Sequence, residues 1–267
     1  MAKVSRKIGL AALTVLELPH HEQVSVAAQA GYSHIGLRLN PVAGQPFHHA
    51  LDVDEVERRL ADTGVRVLDV EVFRLTPETK VNQFESTIAT AARLRATELL
   101  VHGADPDQTR LTESFARLCD LAAGYGLSAN LEPMPWVDVS SLAKAMRILE
   151  GAARANGGLL VDAIHFFRAE DGLEALAQVP RNLLRYAQLC DAPPERPSDM
   201  QEIIRQARSD RLFPGEGGLD LRGLLAALPA GIPISLEVPV SKKMQPLERA
   251  RRTLAATNAI LGIGEDA

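Results

Sequence analysis

Short apolar runs alternate with longer amphipathic stretches along the whole chain. The runs read as buried strands at 8–13 (IGLAAL), 34–39 (HIGLRL), 65–73 (VRVLDVEVF) and 98–102 (ELLVH), then at 127–132 (LSANLE), 159–163 (LLVDA), 183–188 (LLRYAQ) and 233–238 (PISLEV). Between them, at 53–63, 82–95, 112–124, 139–154 and 246–261, apolar residues recur every three to four positions, the helical period. Gly31, Gly64 and Gly126 each close a helical stretch just ahead of a strand, as C-cap glycines do. Repetition of strand, helix and glycine predicts eight βα units. The expected fold is α/β, a single (β/α)8 TIM barrel forming one domain over 1–267. The seventh unit breaks the rhythm: after Gln188, about 30 residues (CDAPPERPSDMQEIIRQARSDRLFPGEGGLD) precede the next core helix near 220–228. They predict an extended loop with a short helix near 199–209, placed where barrel insertions shape a pocket.

Length agrees with this reading, since 267 residues allow about 33 per unit. Aromatics are only 4%, so Leu, Val, Ile and Ala must fill the core. The net charge of -5 and the scattered basic residues argue against nucleic acid as a partner, which would need a basic stripe. Two cysteines are too few for a disulfide framework or a Cys-rich zinc site, and Cys119 reads as helix packing. No apolar run is long enough to span a membrane and the N-terminus lacks a signal-peptide pattern, so a soluble cytoplasmic protein without a membrane partner is expected. No exposed apolar stripe marks a subunit interface, and a homo-oligomer stays open.

The chemistry concentrates at strand ends. Glu132, Asp162, Gln188 and Glu237 lie at or just past the C-terminal ends of four successive strands, 30, 26 and 49 residues apart. In a parallel barrel those ends share one face, so three carboxylates and an amide converge. Three anions in a desolvated site need a cation or raised pKa values. A divalent metal is the simplest resolution, and a set of hard oxygen ligands suits Mg²⁺ or Mn²⁺.

The segments LEPMPW, VDAIH, AQLCDAPPERP, PGEGGLD and SLEVP resemble, in order and spacing, the xylose isomerase-like TIM barrels, the sugar phosphate isomerases/epimerases. The resemblance covers nearly the whole chain. It implies that Glu132, Asp162, Gln188 and Glu237 bind the metal and that Glu132 and Glu237 double as an acid/base pair. It further implies a substrate-binding Arg in the strand-seven loop, where Arg196 stands, and a hydrogen-bonding role for His165 in the Asp162–His165 pair. Glu216, in the PGEGG turn, is a supporting hydrogen bonder. Gln188 replaces the His that ketose epimerases of the family usually carry, and is shared with hydroxypyruvate isomerase and some 3-dehydroshikimate dehydratases. Glu71, His102, Arg38 and Arg74 sit on the same strand-end face and Trp136 follows Glu132 by four residues, so each is a candidate to line the pocket. The His48–His49 pair on the strand-two loop reads as solvated, or as part of a lid.

These residues point to a small-molecule substrate. The first reading is a divalent-metal-dependent isomerase or epimerase of a sugar-like α-hydroxy carbonyl, working by proton transfer through a metal-stabilised enediolate. The second is a metal-dependent dehydratase, a lyase, of a 3-dehydroshikimate-like or keto-inositol-like substrate. An apurinic endonuclease group shares the fold, but its histidine-rich trinuclear zinc site has no counterpart here. A non-catalytic metabolite sensor would lack one of the four ligands, and none is missing.

Overall fold

Eight short strands hydrogen-bond in parallel and close on themselves in a computed structural model that describes residues 6–42 and 49–263. They are β1 (Ile8–Leu10), β2 (His34–Arg38), β3 (Arg66–Leu75), β4 (Glu98–Gly103), β5 (Ser128–Glu132), β6 (Gly157–Asp162), β7 (Leu184–Leu189) and β8 (Ile234–Leu236). Every predicted strand is present. β1 is shorter than expected because the chain turns at Ala12–Val15 into a short 3-10 segment. β3 is longer and reaches Leu75.

The helices are α1 (His20–Ala30), α2 (Val53–Thr63), α3 (Glu85–Arg93), α4 (Gln108–Ala123), α5 (Leu142–Ala152), α6 (Ala163–Arg168), α7 (Leu173–Ala177), α8 (Met200–Ser209), α9 (Leu221–Ala227) and α10 (Pro246–Leu261). Local chemistry sets their ends. The side chains of Asp52, Asp107, Ser141, Asp199 and Asp220 accept a backbone N–H at the first turns of α2, α4, α5, α8 and α9. Gly31 and Gly64 take left-handed backbone at φ +93° and +74°, which lets the chain leave α1 and α2 and enter the next strand.

Alternation along the strands divides the core into two shells. Leu99, Val101, Ala129, Leu131, Leu159, Val161, Ala187 and Leu189 point outward into the main cluster, where they pack against the helices. The side chains between them point inward. Leu68, Val72, Leu100, Leu160 and Tyr186 form an inner cluster that fills the barrel. It is the floor on which the next layer stands.

Candidate active site

One residue pair beyond the floor, the inward positions become ionisable or amide groups. Leu100 gives way to His102, Asn130 to Glu132, Leu160 to Asp162, Tyr186 to Gln188 and Ser235 to Glu237, each exactly one strand period onward. The parallel register then makes neighbours of these groups: His102 stands opposite Glu132, Asp162 opposite Gln188, and Arg38 opposite Glu71. His102 Nε2 and Glu132 Oε2 share a 2.7 Å hydrogen bond. Arg38 Nε and Nη2 both lie 2.8 Å from Glu71 Oε1. The layer opens into a cavity of about 290 Å³. Apolar side chains, among them Leu13, Val72, Leu100, Met134 and Trp136, wall one part of it.

Arg211, which was not anticipated from the sequence, is the cation at the centre of this layer. Only 2% exposed, it reaches Asp162 Oδ2 at 2.7 Å with Nη1 and Glu237 Oε2 at 2.6 Å with Nη2. Its Nε donates to the Ala207 carbonyl at 2.7 Å, which fixes the plane of the guanidinium. The other oxygen of Asp162 accepts the backbone N–H of His165 at 3.1 Å and caps α6. That cap explains the Asp162–His165 spacing: it turns the chain so that the His165 ring lines the cavity. Trp136 meets that ring edge-on, centroids 4.9 Å apart.

Burial dominates the electrostatics. It raises the Glu132 carboxyl well above its usual range, helped by the nearby Asp162 charge and opposed by Arg211. It also raises Glu237 to about 8, with Glu71, Asp162 and Glu132 adding to the rise against the pull of Arg211. For Asp162 burial pushes up, but Arg211 and His165 together outweigh it and hold the group below the ordinary value. Burial drops His102 and His165 to about 3, so both rings are neutral near pH 7. The site therefore holds neutral imidazoles as hydrogen-bonding groups and carboxyls poised to carry protons.

Of the residues singled out in the sequence, Glu71, His102, Glu132, Trp136, His165 and Glu237 line the cavity, as do Arg38 and Arg74. Asp162 and Gln188 do not line it but stand just behind lining residues, Asp162 paired with Arg211 and the Gln188 amide 3.4 Å from Glu237 Oε1. Arg196 does not line it. Its Nε donates to the Arg168 carbonyl at 2.7 Å, a brace between the loop and α6, because the insertion carries it outward before the chain returns. Glu216 is also elsewhere: it pairs with Arg252 of α10 at 2.7 Å. The PGEGG turn is held instead by Asp191, which accepts N–H groups from Ala192, Gly215 and Leu219. His49 Nε2 contacts the Glu17 carbonyl, and His48 lies outside the described residues. Arg211 lies two residues past the insertion helix and ahead of the turn, and no local pattern in the sequence marks it.

A sequence profile described as xylose isomerase-like TIM barrel matches residues 24–260. The chain belongs to that family. Within it, the 3-dehydroshikimate dehydratase of Pseudomonas aeruginosa is 26% identical over 233 residues, 81% of this chain and 36% of that protein. The inosose isomerase of Bacillus velezensis is 29% identical over 118 residues, 43% of this chain and 40% of that protein. The chain thus spans little more than a third of the dehydratases it matches. Among solved structures, the IOLI protein with a bound zinc atom superposes with a TM-score of 0.78 at 19% identity, over 98% of this chain and all of that one. An L-ribulose 3-epimerase superposes at 0.74 with 16% identity, covering 96% and 95%. At such identities the structural matches speak for the fold. The matched relatives are enzymes: a dehydratase, an isomerase and an epimerase.

The donor set of this family member fits a divalent ion. One ligand atom each from Glu132, Asp162 and His165 falls within 4.8 Å of the others, a set that shares Glu132 and Asp162 with the four ligands expected from the sequence, adds an imidazole nitrogen and does not include Glu237. The outer end of the Gln188 amide lies 3.2 Å from Glu132 Oε1 and 3.3 Å from Asp162 Oδ2. An amide oxygen there faces acceptors alone, an arrangement that a cation among them makes favourable; turned over, the NH₂ would donate to both carboxylates. His165 Nε2 lies 3.9 Å from Glu132 Oε1, and its buried Nδ1 has no partner among the described residues.

Proposed function

We propose that this chain is a divalent-metal-dependent enzyme that removes a proton from the carbon beside a carbonyl of a small hydroxy ketone. The observation that carries this reading is the convergence of Glu132, Asp162, Gln188 and Glu237 at one cavity, beside two neutral imidazoles and a buried arginine. Glu132, Asp162, Gln188 and Glu237 would hold the ion, Mn²⁺ or Mg²⁺ by the hardness of their oxygens. When bound, the ion supplies Lewis acidity that makes the adjacent C–H more acidic. Glu132 at the end of β5 and Glu237 just past β8, with two strands between them in the closed order, serve as base and acid. His165 and Trp136 position the substrate from the side of α6.

Of the two outcomes the lyase is preferred. One carboxylate takes the proton, the electron pair left on carbon forms the new C=C bond, and the hydroxyl on the next carbon departs as water with a proton from an acid of the site. Support comes from the dehydratase relatives, aligned over 81% of the chain. The isomerase or epimerase outcome, in which the proton returns to carbon, is the second reading. It is favoured by the higher identity, 29%, over the shorter inosose isomerase match.

The test is turnover by the metal-stripped chain with Mn²⁺, Mg²⁺ or Zn²⁺ restored, on a panel of cyclic β-hydroxy ketones and a panel of ketoses. Lyase activity appears as a new conjugated-enone absorbance in the first panel alone. Glu237→Gln should lower it by at least about 100-fold while the chain still unfolds cooperatively. Activity that survives complete metal removal, or survives Glu237→Gln, would overturn the assignment.

A further inference from the structure

Four arginines line the cavity, and two of them are not used by the site as described. Arg38 answers Glu71, and Arg211 answers Asp162 and Glu237. Arg74, at the exposed end of β3, and Arg208, on the last turn of α8, border the same cavity. Among the described residues neither has a carboxylate partner. Charge accounting sharpens the point. A divalent ion, Arg38 and Arg211 would together match the four carboxylates Glu71, Glu132, Asp162 and Glu237, and the charges of Arg74 and Arg208 would remain. The two are close enough to disturb each other: burial and the charges of Arg74 and Arg38 pull the Arg208 guanidinium below its ordinary value. Like charges held beside one cavity raise its free energy until an anion enters.

We propose that Arg74 and Arg208 form an anion clamp at the mouth of the cavity, and that the substrate carries an oxyanion at the end remote from its reacting hydroxy ketone. The inference rests on the reading of the β5–β8 oxygens as a cation site. Planar guanidinium forks match the paired oxygens of a carboxylate or a phosphoryl group. The cavity, about 290 Å³, suits a compact ring or short-chain molecule. One end of such a molecule would reach the oxygen cluster and the other the arginines. The long insertion after β7 then has a role, since α8 delivers Arg208 and the chain beyond it delivers Arg211.

Two matched pairs of probes test this on the full chain loaded with Mn²⁺, by isothermal titration: 3-dehydroshikimate against its methyl ester, and D-fructose 6-phosphate against D-fructose. The charged member of one pair should bind at least about ten-fold more tightly. In Arg74→Gln/Arg208→Gln that ratio should fall close to one. A preference within the first pair assigns a carboxylate, and within the second a phosphoryl group. Equal affinity within both pairs, no binding of either charged member, or a preference undiminished in the double variant would overturn the clamp. Clamp-dependent binding without turnover would leave the clamp standing and remove the proposed reaction. Turnover of a charged hydroxy ketone with unchanged kcat/KM in the double variant would do the reverse.

Discussion

Arg211 joins two buried carboxylates that lie on different strands, and its removal has a predictable cost. Asp162 and Glu237 would be left facing each other with Glu132 nearby, in a place from which water is largely excluded. Breaking one side of a buried ion pair typically costs about 3–5 kcal/mol. Arg211→Ala should therefore lower the unfolding free energy of the metal-free chain by about that amount in a urea titration. A divalent ion bound to the same oxygens replaces part of the lost charge, so the loss should shrink when Mn²⁺ is present. An equal loss with and without the ion would show that the carboxylates do not share it. The same residue shows a limit of reading a sequence: a lone Arg in a polar insertion looks like any solvated charge, and only the return of the loop over the barrel buries it.

Elements built on a regular period were legible; the insertion was legible only in part. β1 to β8 stood out because their outward faces must meet helices and their inward faces alternate with them, which yields compact apolar runs. α2 and α10 coincide with the helical stretches read at 53–63 and 246–261, where the apolar period is clean and a cap or Pro marks the start. The insertion has its short helix at Met200–Ser209, as its pattern indicates. Its path is set by long-range contacts, above all the Asp191 carboxylate holding the glycine turn. A Cβ at Gly217 would stand 2.3 Å from both Asp191 Oδ1 and the Ala192 carbonyl oxygen. Gly217→Ala should destabilise the chain by about 1–3 kcal/mol and raise KM, because the displaced turn follows directly on Arg208 and Arg211. Thermal unfolding and initial-rate kinetics check both; unchanged KM would separate the turn from the site.

At the scale of the whole molecule, the buried charges give stability a pH dependence with a calculable sign. Glu237 has its carboxyl raised from 4.5 to about 8, so the folded chain keeps this proton after the unfolded chain has released it. Its contribution is complete below 4.5 and is lost as pH rises through about 8. His102 and His165 are depressed from 6.5 to about 3 and act oppositely, costing stability as pH falls below 6.5. Above 6.5 both imidazoles are neutral in either state, and the carboxyls set the slope. The metal-free chain should lose stability between pH 6.5 and about 8, and Glu237→Gln should flatten that decline. Urea midpoints across this range measure it, and a rising midpoint in the unaltered chain would refute the raised carboxyl.

The sequence by itself determined the barrel, because the period of its apolar positions and its helix-ending glycines are local properties that leave few ways to bury both faces of a parallel sheet. It also determined that three carboxylates and one amide gather at strand ends, since parallel register turns position along a strand into position in space. Tertiary structure decided the rest. It took Arg196 and Glu216 away from the cavity, brought Arg211 among the acids and left Arg74 and Arg208 beside the opening. Those outcomes depend on how an aperiodic segment folds back over the barrel, and its path is set by contacts between residues far apart in the chain.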